Sequence, residues 1–222
     1  MPTLDQSGDV FRLDLGNDEN RWTPGWMRAV LGCLDDVEAA PGPKALVSTA
    51  NGKYWSTGLD LDWLAAHPDG TSELSNLFHT LLARMLTLAA PAVAAVQGHA
   101  FGAGALLALA HDFRVMRADK GFWCLPESDI GMPFTDGTAA LVQARLTPAA
   151  AHRAMLTAHR YSGEEAAAAG IVDNAVAAPD VEKTAWQLAE SLAGKDGANL
   201  GAIKRHMYAG VWESLLADAV RY

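Results

Sequence analysis

The stretch VQGHAFGAGALLALAHDFRV (residues 96–115) sets Gly98, Gly102 and Gly104 between an apolar, strand-like run and a helix with almost no polar face. Glycine at that density loses backbone entropy on folding, so close packing or the close approach of a ligand has to offset it. A strand that enters a glycine turn and opens a helix leaves the first helical N–H groups without intrahelical acceptors, and the helix dipole adds partial positive charge there. Because residues 103–110 are apolar all round, this helix is expected to be buried and its N-terminus to face a dry pocket. Such a pocket suits a negative charge, including one that develops as a carbonyl oxygen becomes an enolate.

Outward from this stretch, strand and helix patterns alternate. Phe11, Leu13 and Leu15 alternate with Arg12 and Asp14 as in a strand with one wet face. Thr23-Pro24 reads as a helix start, and Met27, Val30, Leu31 and Leu34 follow at helical spacing. KALVSTA (44–50) is a short apolar strand, and 66–73 (AHPDGTSE) reads as a polar loop and candidate lid. Leu74, Leu77, Phe78, Leu81, Leu82, Met85 and Leu86 mark an amphipathic helix ending near Pro91. PAVAAVQG reads as the buried strand that enters the glycine turn, and HDFRVMRA returns as another. From Thr147-Pro148 onward the pattern is helical, so the expectation is a layered α/β core, residues 1–176, with a helical region over 177–222.

With 222 residues, half of them hydrophobic, the chain is long enough for a sizeable core, and a net charge of −9 without a basic stripe argues against nucleic acid as a partner. No apolar run reaches the ~18 residues of a membrane span. The start MPTLDQSGDV lacks the features of a signal peptide, and the end AVRY is unlike the peroxisomal Ser-Lys-Leu address. Cys33 and Cys124 lie in apolar surroundings, as reduced thiols of a cytoplasmic protein would. The seven histidines have no metal-ligand spacing, and no metal site is expected. The GxGxxG fingerprint fails, because Gly102-Ala103-Gly104 runs on into Ala105-Leu106-Leu107.

A second turn, Ser56-Thr57-Gly58, precedes a helix start near Asp60, and two such turns together would make an oxyanion hole. With TANGKYWSTGLDL (49–61), VQGHAFGAGALLALAHDFRVMRADKG (96–121) and LPESDIGMP (125–133) in this order, the chain resembles the crotonase, or enoyl-CoA hydratase/isomerase, superfamily. Within it the resemblance is closest to monofunctional isomerases that shift a 3-enoyl-CoA to the 2-enoyl-CoA. The resemblance implies a spiral of ββα units with a helical end, a homotrimer or dimer of trimers, and an acyl-CoA thioester as substrate with no separate cofactor. It assigns the oxyanion donors to the N–H groups of Thr57, beside Gly58, and of Ala103, between Gly102 and Gly104. It places Arg21 and Trp22 at the CoA entrance, with Lys53 nearby.

Hydratases of this family hold water with two glutamates. Here the first of those positions is Leu106 and the second is Glu127. One carboxylate cannot hold water in that way, but it can take a proton from C2 or C4 and return it to the other carbon, which is double-bond isomerisation. Phe122, Trp123, Leu125, Met132 and Phe134 are expected to wall the carboxyl and raise its pKa. Leu106 would exclude water from it. Asp129 is a rival base, and Asp136 is a candidate second acid that also reads as part of a helix cap. Other readings are another crotonase reaction (hydration, dienoyl isomerisation, acyl-CoA hydrolysis) or a non-catalytic acyl-CoA-binding subunit.

Overall fold

The computed structural model describes residues 1–221, and the chain winds through four turns, each pairing strands with a helix. The first turn holds β1 (Thr3–Ser7), β2 (Val10–Asp14), β3 (Arg21–Trp22) and α1 (Pro24–Ala39). The second holds β4 (Ala45–Thr49), β5 (Tyr54–Ser56), β6 (Gly58–Leu59), α2 (Leu61–Ala66) and α3 (Thr71–Leu86). The third is β7 (Ala92–Val96), β8 (His99–Phe101) and α4 (Ala103–Ala110). The fourth is β9 (Phe113–Arg117), β10 (Trp123–Cys124), α5 (Glu127–Ile130), α6 (Asp136–Arg145), α7 (Pro148–Thr157) and α8 (Gly163–Ala168). The chain then adds β11 (Asn174–Val176) and ends in α9 (Val181–Leu192), α10 (Gly197–Met207) and α11 (Ala209–Arg221). This is the expected spiral with a helical carboxy-terminal part.

The second, third and fourth turns each place one strand in each of two sheets, while β3 and β6 pair separately. The larger has the order β1-β2-β4-β7-β9-β11 and is parallel apart from the β1–β2 hairpin, and the smaller is β10-β8-β5. β4 and β7 are buried along their whole length because both faces of the large sheet are covered. Ala45, Val47, Val93 and Ala95 pack toward Val181, Ala185 and Ala189 of α9, while Leu46, Ala94 and Val96 join the main core with α1, α3 and α4. Among the described residues no helix is long and apolar enough to cross a membrane.

Two expectations fail here. Residues 66–73 are not an open loop, because Pro68–Gly70 forms a 3-10 turn and α3 begins at Thr71. PAVAAVQG does not itself enter the glycine turn. The chain leaves the large sheet after Val96, and β8, in the small sheet, leads into α4. Three residues are too short a run for a period to show, so the sequence merged the two strands.

Candidate active site

All eight residues of α4 are buried, as its uniformly apolar sequence requires. Gly102 caps its start at φ 52°, and its N–H donates to Cys124 O (3.1 Å), which ties the turn to β10. Ala103 is the first helical residue, so its N–H has no acceptor within the helix. A side chain at Gly104 would start 2.4 Å from Ser56 O, and one at Gly58 (φ +86°) would start 2.7 Å from Ala103 N. The two glycine turns therefore meet backbone to backbone.

On the first turn the N–H groups are not placed as expected. Thr57 N–H donates to Glu19 O (2.9 Å) and its hydroxyl to the same oxygen (3.2 Å), so Thr57 is committed away from the site. Asp60 N–H donates to Trp22 O (3.2 Å) across the parallel β3–β6 pair. Bonding to one neighbour alternates along a strand, which turns the Leu59 N–H to the other side, where Ala103 lies. Leu59 lines the cavity with Ala103 and Glu127. The sequence signals the turn through Gly58, but only strand pairing decides which flanking N–H points inward.

Trp22 is fully buried, stacks on Trp26 with ring centroids 5.2 Å apart, and donates from Nε1 to Ser56 Oγ (2.9 Å). Ser56 Oγ in turn donates to Asn20 O (2.9 Å) and accepts from Gly58 N–H (3.1 Å). Trp22 thus lies beneath the site and holds the Gly58 turn in place, instead of contacting CoA as the sequence suggested.

Glu127 opens the short helix α5 directly after Pro126. Its Oε1 lies 3.7 Å from where a Gly102 side chain would begin, and its Oε2 is buried without a hydrogen-bond partner among the described residues. Burial raises the carboxyl pKa to about 7. The carboxyl faces a cavity of about 210 Å³ whose lining includes Leu59, Leu74, Phe78, Leu106, Met132 and Phe134. The apolar wall differs in part from the expected one: Trp123 and Leu125 are buried in the core, and Phe122 is 36% exposed beside His99. Glu127 is the sole carboxylate lining this cavity among the described residues, and Leu106 is 2% exposed.

The other sequence candidates lie elsewhere. Arg21 is held by Glu19 and Asp62 (each 2.6 Å) in a separate cleft with Leu15, Thr23 and Trp26. Lys53, at the opposite end of β5 from Thr57, sits 4.9 Å from the centre of the Tyr54 ring in a groove with Gln97, His99 and Lys120. Asp129 is exposed. Asp136 follows the true helix cap, Thr135, and its carboxylate is 80% exposed and ion-paired with Arg221 (3.1 Å). The sequence reading passed over His79, which is buried and lines the cavity with Ser75 and Thr135. Its signal was the four-residue spacing of Thr71, Ser75 and His79 along one face of α3.

The enoyl-CoA hydratase/isomerase family matches residues 10–220. Enoyl-CoA delta isomerase 3 of Arabidopsis thaliana is 36% identical over 219 residues, 94% of this chain and 92% of that protein. A family member of known structure from Pseudomonas syringae superposes with a TM-score of 0.91 at 26% identity, covering 98% of this chain and 94% of the other. The human mitochondrial delta3-delta2-enoyl-CoA isomerase shares the fold, with a TM-score of 0.91 at 21% identity over 98% of this chain and 88% of that one. With the family matched over residues 10–220, relatives 36% identical along nearly the whole chain and the same spiral in the solved structures, the chain belongs to the enoyl-CoA hydratase/isomerase family, the crotonases.

Proposed function

We propose that the protein converts 3-enoyl-CoA thioesters into 2-enoyl-CoA thioesters. The observation that carries this reading is the Glu127 carboxyl, whose Oε2 has no hydrogen-bond partner among the described residues, in an apolar cavity beside the first N–H of α4. The thioester oxygen is placed between the N–H groups of Ala103 and Leu59. Glu127 takes a proton from C2, the electrons pass through the C3–C4 double bond and the thioester to leave a dienolate, and the two N–H groups stabilise its oxygen. The same carboxyl, now protonated, gives the proton to C4, and the double bond ends between C2 and C3. The cycle returns Glu127 to its starting state and needs no cofactor beyond the CoA carried by the substrate. A single carboxylate favours isomerisation over hydration, because a second one would be needed to hold water.

The reading includes a cytoplasmic enzyme, supported by two free cysteines, Cys33 and Cys124, and a trimeric working form, which the family resemblance implies. The direct test is incubation of purified protein with 3-enoyl-CoA and 2-enoyl-CoA. Conjugation of the former without hydration of the latter is expected, and hydration without isomerisation would overturn the assignment. Since the base acts ionised and its pKa is about 7, kcat/KM should rise with pH through about 7 and level off above it. A profile already flat from pH 5 upward would mean that another group is the base.

Leu106 supplies a third test. Leu106→Glu sets a second carboxyl in the same cavity, where each charge disfavours ionisation of the other and both are costly to desolvate. Isomerisation is expected to fall by about tenfold or more, the scale of a pKa shift of one unit or greater at neutral pH. An unchanged rate would remove the argument from a single carboxylate.

A further inference from the structure

We propose that His79 is the end wall of the acyl cavity and restricts the substrate to short and medium chains, with a best fit at about eight carbons. This rests on the reading above in that the acyl chain starts at Glu127 and Ala103. From there the cavity has two ends: an exposed rim at Thr71 and Pro133, and a buried end at His79 and Thr138.

The buried end is fastened, not merely filled. His79 is 2% exposed and its ring is held at both nitrogens. Nδ1 lies 2.8 Å from Ser75 O one turn back, which makes it the donor, and Nε2 then accepts from the Thr135 hydroxyl at 3.0 Å. Thr135 is itself the cap of α6, accepting from Thr138 N–H, so the bond joins α3 to the start of α6. Behind them α11 closes the space. A side chain at Gly137 would meet Leu215 backbone at 2.7 Å, and Asn76 on α3 donates to Ala219 O (3.1 Å). An alkyl chain can push aside a leucine rotamer, but turning this ring aside would break two partly buried hydrogen bonds.

The wall sets the limit and the volume gives its scale. A cavity of about 210 Å³, open at its rim, is on the order of a medium-length acyl group at ~30 Å³ per methylene, the room of one water, and because Glu127 lines it that group includes the reacting carbons. Acyl groups of about six to eight carbons fill it, and a twelve-carbon chain has no room unless it leaves by the rim.

The test measures calorimetric binding of saturated acyl-CoA thioesters of four to sixteen carbons, alongside turnover of 3-enoyl-CoA thioesters of matching length. Affinity is expected to rise by about fourfold per added methylene up to eight carbons, then to drop at least tenfold by twelve. His79→Ala should move the optimum about two to three carbons longer, while His79→Phe, which refills the space, should keep it at or below eight. If the alanine variant does not fold, the wild-type series still decides. Affinity that keeps rising or stays level to sixteen carbons overturns the proposal, since the chain then leaves by the rim. Absence of binding at every length also overturns it. A length cut-off in binding without any isomerisation would sustain the end wall while overturning the isomerase reading, so the two failures are distinguishable.

Discussion

Glu127→Gln is expected to lower isomerase turnover by about 100-fold to 10,000-fold, the range for loss of a general base. The amide keeps the shape of the carboxyl but can neither take a proton from C2 nor hold one for C4. Binding of a 2-enoyl-CoA should change by less than about threefold, because the N–H groups of α4 and β6 and the cavity walls remain, and an effect below ~0.6 kcal/mol is within the scale of a neutral swap. Stability supplies an independent check. The folded-state pKa of about 7 lies above the ordinary ~4.3 of a free glutamate, so ionising this carboxyl opposes folding. The wild type holds its full stability below pH ~4 and loses part of it as pH rises through about 7. The glutamine variant lacks this loss and should be more stable than wild type by about 1–3 kcal/mol at pH 8, with the difference vanishing near pH 4. Denaturant melts at the two pH values and steady-state turnover measure both effects. A variant retaining more than a tenth of wild-type activity would place the base elsewhere.

Gly104→Val should damage fold and activity together. The new Cβ would lie 2.4 Å from Ser56 O and 2.8 Å from Ser56 Cβ, and the clash with the Ser56 backbone cannot be relieved by a rotamer change. Helix α4 has to move away from β5, at a cost of about 1–3 kcal/mol of overpacking and a Tm lower by roughly 2–12 °C. The same movement separates Ala103 N–H from the Gly58 turn. A displacement near 1 Å at such a donor is worth about 100-fold in turnover. Thermal melts and kcat together give the readout. Wild-type kcat in a folded Gly104→Val protein would show that the contact between α4 and β5 does not position the oxyanion donors.

Much of the molecule can be read from local patterns. The apolar circumference of Ala103–Ala110 forces burial, Thr23-Pro24 and Thr147-Pro148 start helices where their hydroxyls cap them, and the three motifs in order identify the family. The position of Glu127 was also legible, because a motif is a matter of spacing along the chain. The sequence did not determine which N–H of the Thr57-Gly58-Leu59 turn faces inward, because that depends on Asp60 bonding to Trp22 across strands 38 residues apart in the chain. Nor did it show that Trp22 braces Ser56, that Lys53 lies at the other end of β5, or that His79 closes the cavity. Short-range periodicity records which face of an element is buried. What that face meets, and where a backbone donor points, is decided by the docking of distant segments, and only the tertiary structure contains it.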